Sequence, residues 1–178
     1  MSTHLTTNQT QAALKQARQN VLAQTQILQN LIPPTVSYTT EGTVLIIGPE
    51  DLARLAADKL STMASRVILA NEAITSQDEA HLERVMAAAT NVESYYNKLI
   101  GIKGFLGQFQ VSVEHQNGAA ELSVVAIRKP HFDLILDLSS TPCLNLEMLP
   151  PGYFYVGQDE AKLADALEQL PELVGQFD

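Results

Sequence analysis

Val44-Leu45-Ile46-Ile47-Gly48-Pro49-Glu50-Asp51-Leu52 is the stretch whose reading decides the fold. Its apolar run has no polar alternation, so it reads as a strand buried on both faces, as in a parallel sheet covered by helices. Gly48 and Pro49 break the strand. Proline suits the first turn of a helix, where its missing N–H costs nothing. Glu50 and Asp51 suit the positive end of the helix dipole. Leu52, Leu55, Ala56 and Leu60 then recur at helical spacing, and a second apolar run, Val67 to Ala70, closes at Glu72. Strand, helix and strand within Gly42 to Glu72 make a βαβ unit, for which a right-handed crossover is expected.

Upstream, Asn8 to Leu31 reads as one long helix. Ala13, Leu14, Ala17, Val21, Leu22, Thr25, Leu28 and Ile32 mark a narrow apolar stripe, and glutamines crowd the other face. Such a stripe either docks on the body of the protein or forms a seam with a second copy of the chain. Pro33 and Pro34 end it, because the residue before a proline avoids the helical region. The expected division is therefore an N-terminal helix over 1–34 and an α/β domain over 35–178.

Downstream, Thr75 to Asp78 reads as a cap for a helix over Asp78 to Ala89. Gly101 to Gly107 reads as a flexible loop with an apolar tip. Gln108 to His115 alternates like a half-buried strand, and Asn117-Gly118 is a preferred pair for a tight hairpin turn. Beyond that turn two readings stand: a returning hairpin strand, or a short helix from Ala119 to Ile127. Phe132 to Leu138 is a buried strand, and Tyr153 to Val156 a short one. The last helix starts at Asp159-Glu160 and is interrupted at Pro171. The expected fold is a three-layer, Rossmann-like α/β domain with a mostly parallel sheet plus a hairpin.

At 178 residues and 46% apolar content the chain is long enough for a domain with a real core. A formal charge of −9 argues against a nucleic acid partner and is compatible with a basic protein partner. No apolar run approaches the roughly 20 residues that span a bilayer, so no membrane partner is expected. The polar start (Ser2, Thr3, His4) has no signal-peptide pattern, and a cytoplasmic location is expected. Cys143 is the only cysteine, so this chain alone forms no internal disulfide and holds no cysteine-ligated cluster.

A nucleotide site is the first chemistry to weigh. Gly48 at the first strand–helix turn and Glu72 at the end of the second strand occupy the positions a dinucleotide fold uses for pyrophosphate and ribose. However, Gly48-Pro-Glu-Asp lacks the other glycines. Pro49 also removes an amide donor, and Glu50 and Asp51 put negative charge where phosphate would sit. Gly101, Gly104 and Gly107 with Lys103 form a weaker anion cradle, which a sharp turn explains as well. His81, His115 and His131 with Asp133 and Asp137 lack metal-site spacing, and no metal ligand is assigned. Asp137, near the carboxyl end of its strand, is the residue to test for activity, though a cap or a buried hydrogen bond would also place it there. Nothing near Cys143 would lower its pKa, and no catalytic set is assigned.

Phe132-Asp-Leu-Ile-Leu-Asp-Leu, Pro150-Pro-Gly-Tyr-Phe and Leu170-Pro-Glu-Leu-Val-Gly-Gln-Phe-Asp resemble the N-terminal region of a family of bacterial 4Fe-4S cluster-binding proteins. Gly104-Phe-Leu-Gly-Gln-Phe and Gly48-Pro-Glu-Asp are similar to it too. The resemblance covers roughly residues 42 to 178. It implies electron transfer, with ferredoxin-like modules beyond the segment Leu173 to Asp178. None of the family's cluster cysteines is present, and Cys143 matches no ligand run. On this reading the chain is a cluster-free N-terminal accessory or docking domain of a longer protein, with no cofactor of its own and 4Fe-4S clusters only in the C-terminal part. Its partner is a redox protein or those C-terminal modules, and the N-terminal helix is available for homo-oligomer formation.

Overall fold

The strand β2 (Thr43–Pro49) is buried along almost its whole length, and two parallel neighbours explain why. On one side runs β3 (Ser65–Glu72), with Ile46 opposite Ile68. On the other runs β8 (Leu134–Asp137), with Ile46 opposite Leu136. Two short strands complete this sheet, β4 (Ser94–Tyr95) beside β3 and β9 (Tyr153–Tyr155) beside β8. All four pairings are parallel. The spatial order β4-β3-β2-β8-β9 runs outward from β2 in one direction and then returns to its other side. In that order the direction of strand addition reverses between β2 and β8, which makes their boundary the switch point of this parallel sheet.

The computed structural model describes residues 14–20, 37–74, 78–116 and 118–177. The chain divides into two units, Met1–Val36 and Ser37–Asp178. In the first, residues 14–20 are helical and exposed. The rest of the helix expected over Asn8 to Leu31, with its seam, lies outside the described residues. So do Thr75 to Gln77 and Asn117.

In the second unit, alternate residues of the parallel sheet feed two cores. Val44, Ile46, Ile68, Leu134 and Leu136 face the helical layer, with Ala53, Ala56 and Leu60 of α1 (Glu50–Lys59) and its C-cap, and Leu170 of α4 (Glu160–Glu172). Leu45, Ile47, Val67, Leu69 and Ile135 face the other way. There they meet Ile102 of β5 (Leu99–Lys103), Val111 and Val113 of β6 (Gln110–His115) and Leu122 of α3 (Leu122–Ile127). Each fully buried aliphatic side chain contributes about 1.5–3 kcal/mol, so a strand buried on both faces is worth more per residue than an alternating one. The helix α2 (Glu79–Ala87) buries Val85 and is capped by Asp78, whose carboxylate accepts from Ala80 N.

Several expectations are corrected. The antiparallel strands are not part of the main sheet. β5, β6 and β7 (Gly118–Glu121) form a sheet of their own, and β1 (Tyr38–Thr40) pairs with β10 (Gly175–Phe177). Part of the segment read as a flexible loop is strand β5, and the register shift between Leu99 and Gly101 leaves Ile100 as the bulged residue. Both readings of 118–127 hold in part: β7 returns as a hairpin strand, and the chain then turns into α3. Pro49 is the residue before the helix, and Glu50 is the first helical one. Pro171 does not interrupt α4. It lies in the last turn, where the loss of one N–H leaves the fully buried Leu170 in place.

Among the described residues no helix is long and apolar enough to cross a membrane.

Candidate functional site

An open parallel sheet offers its ligand site outside the carboxyl ends of the strands, at the switch point. Here the chain approaches itself closely at that point. Gly48 has φ +149°, and a Cβ on it would lie 2.8 Å from Leu138 Cβ. The glycine therefore lets the end of β2 and the exit of β8 approach closely. Asp137 ends β8 fully buried. Its Oδ1 accepts from Ser139 N at 3.0 Å, and its Oδ2 accepts from Cys143 N at 2.7 Å and from the Tyr153 hydroxyl. Tyr153 Oη in turn accepts from Leu144 N at 3.2 Å. Both carboxylate oxygens are thus engaged in folding the segment 139–144 back over the sheet. Burial, reinforced by the Asp137 carboxylate, raises the Tyr153 pKa.

Cys143 lies in the same turn, with its Sγ 3.6 Å from Ser139 Oγ. Burial pushes its thiol up to about 11 from an ordinary 9.0, the hydrogen bond from Ser139 opposing. It is a protonated thiol at neutral pH and a poor nucleophile.

The start of α1 carries the electrostatics expected from Glu50 and Asp51. Glu50 is buried, accepting from Arg54 Nε at 2.9 Å and from the Tyr96 hydroxyl at 2.8 Å. That second hydrogen bond is the main reason the Tyr96 pKa is raised. Asp51 accepts from Leu52 N at 2.8 Å and lies 3.3 Å from His81 Nε2. A phosphate at this helix start would meet two carboxylates. Glu72 is exposed and sits opposite Pro49 in the β2–β3 register, so Gly48 and Glu72 share the carboxyl end of these two strands.

The other candidates are scattered. Gly107 turns the chain under β1: a Cβ there would lie 2.4 Å from the Thr39 carbonyl oxygen, and its φ is +81°. That contact accounts for the glycine without an anion. Gly101 and Lys103 belong to β5. His81 faces Asp51, His115 is exposed at the end of β6, and His131 lies at the opposite end of the sheet near Glu41 and Lys129. Asp133 is buried, and its Oδ2 accepts from Glu41 N at 2.9 Å and from Thr43 N and Oγ1, both at 2.8 Å. It locks the entry of β2 to that of β8. Among the described residues no three His, Cys, Asp or Glu side chains are grouped to hold a metal ion.

Sequence reasoning missed a cavity of about 420 Å³ one strand away from the switch point. Ile47, Leu69 and Ala70 contribute to it from the ends of β2 and β3, Tyr96 to Leu99 from the β4–β5 connection and the first residue of β5, and Cys143 from the folded-back turn. These residues come from four places in the chain, and no local motif announces them. No family model matches the chain, and neither a curated protein nor a solved structure matches it.

Proposed function

We propose that the chain is a cluster-free accessory domain that docks rather than catalyses, within an iron–sulfur electron-transfer protein. The observation that carries the non-catalytic half is the state of Asp137. The acid at the carboxyl end of the central sheet has both oxygens occupied by the protein's own donors, and Leu138 beside it lies close against Gly48. A general acid or base needs a free oxygen within reach of substrate.

The iron–sulfur half rests on the resemblance, and the fold gives it a physical reading. The segments that carry it hold one another in place. Phe109 and Phe132 exchange backbone hydrogen bonds at 2.8 Å, and Gly107 N donates to Asp133 O at 2.9 Å. Ile135 N donates to Gly152 O at 2.9 Å. Residues used in this way specify a scaffold rather than a chemistry. The net charge of −9 favours a basic face on the partner.

The test is the native product in its source. Mass spectrometry should find a polypeptide much heavier than 19.4 kDa, with iron and acid-labile sulfide. A product of about that mass without iron would overturn the proposal.

A further inference from the structure

The cavity over β2 and β3 has a chemistry of its own. Its floor is apolar: Ile47 and Leu69 are 1% and 2% exposed. One wall is an aromatic ring held in place. Tyr96 is 61% exposed, yet its hydroxyl donates to Glu50, which Arg54 also holds. An exposed ring fixed at its far end is a ready stacking surface with little entropy left to lose. The rim carries amides from Asn71 and Asn97. Asn71 Nδ2 donates to Ser139 Oγ and Asn97 Nδ2 to Glu114 O, so both are oriented. Lys98 is the one charged residue of the lining, and among the described residues no ion pair engages it. In a chain of charge −9, a ligand cavity whose only formal charge is positive selects for an anion. Its volume lies within the roughly 300–1,000 Å³ of small-molecule sites.

The same geometry limits the anion's size and type. A dinucleotide would extend its phosphates toward the α1 start, where Glu50 and Asp51 repel them. We propose that this cavity binds a compact planar monoanion, an aryl or heteroaryl carboxylate. The ring stacks on Tyr96 over Ile47 and Leu69, and the carboxylate is held by Lys98 and the rim amides. The site stands whether or not the chain docks onto cluster-bearing modules.

The experiment uses the full 178-residue chain and three kinds of probe: benzoate and indole-3-carboxylate, their uncharged counterparts benzyl alcohol and indole, and AMP. Two readouts apply. Backbone amide shifts should concentrate at Ala70–Asn71 and Asn97–Leu99. Alkylation of Cys143 by iodoacetamide, a single-site reporter in this sequence, should slow when the cavity is filled. The carboxylates are expected to bind at millimolar concentration or below, and the uncharged counterparts about tenfold more weakly, the loss of one charge-assisted hydrogen bond. Lys98→Gln, at an exposed position, should fold normally and weaken carboxylate binding by about the same factor. Tyr96→Ala should weaken carboxylates and uncharged rings alike. Absence of carboxylate binding would overturn the proposal, as would equal binding of the uncharged probes with no effect of Lys98→Gln. Tighter binding of AMP with the same amide shifts would overturn the ligand class and assign the cavity to a nucleotide.

Discussion

Asp137 is the residue where structure and chemistry compete for one carboxylate, and its partners decide the outcome. Three donors converge on it from 139, 143 and 153. Replacing it by alanine leaves buried donors unpaired at about 1–3 kcal/mol each. Asp137→Ala should therefore lower stability by roughly 3 kcal/mol or more, and Asp137→Asn, which keeps one acceptor oxygen, by less; urea denaturation of both variants checks the ordering. Equal midpoints for Asp137→Ala and the parent would show that the network contributes nothing to stability. Cys143 in the same turn predicts a pH dependence. The unfolded thiol ionises near 9.0, while the folded one keeps its proton to about 11. The unfolded state loses its proton first, so stability is whole below about pH 9 and declines as pH climbs toward 11. Tyr153, raised from 10.0, pulls in the same direction. Melting temperatures measured across that window should fall, and Cys143→Ala should fall less steeply; a slope identical to the parent's would remove the thiol from the account.

At the scale of elements, the glycines between 101 and 107 belong to two different structures, and one pair of substitutions separates them. Gly101 lies in β5 with nothing within 4 Å of an added Cβ, so Gly101→Ala should be neutral or stabilise by up to about 1 kcal/mol through the unfolded state. Gly107 has a positive φ and the Thr39 carbonyl in the way, so Gly107→Ala should destabilise by about 1–3 kcal/mol or more. Thermal melts of the two variants check the contrast, and a similar loss in both would mean that the segment is one loop after all. In the sequence the three glycines look alike, because spacing does not reveal which backbone approaches which. The buried runs of β2, β3 and β8 were legible for the opposite reason: burial on both faces leaves an unbroken apolar signature in the local sequence. The bond from Tyr153 to Asp137 left none. It depends on β8 and β9 lying side by side with Asp137 opposite Tyr155, a register that only the assembled sheet creates. Pro171 misled because its rule concerns helix interiors, and this proline sits where few hydrogen bonds remain to be lost. Gly48 and Glu72 lie at the carboxyl ends of β2 and β3, and the cavity near them draws on Tyr96 to Leu99, a stretch with no clear periodicity of its own.

For the whole molecule, every described residue of both apolar cores lies between Tyr38 and Leu173, within the unit Ser37–Asp178. The strands that close that unit are its own, β1 pairing with β10. Hydrophobic burial dominates the favourable side of folding, and the unit Ser37–Asp178 carries two apolar cores of its own. A chain trimmed to 37–178 should therefore fold alone and melt cooperatively within a few degrees of the full chain, as followed by circular dichroism. Light scattering on the same pair tests the role expected of 1–34. If that helix forms a seam between two copies, the full chain is a dimer and the trimmed one a monomer, with the melting temperature of the trimmed unit independent of concentration. A trimmed chain that fails to fold would mean that the two cores of 37–178 are not sufficient by themselves to offset the entropy of ordering that unit.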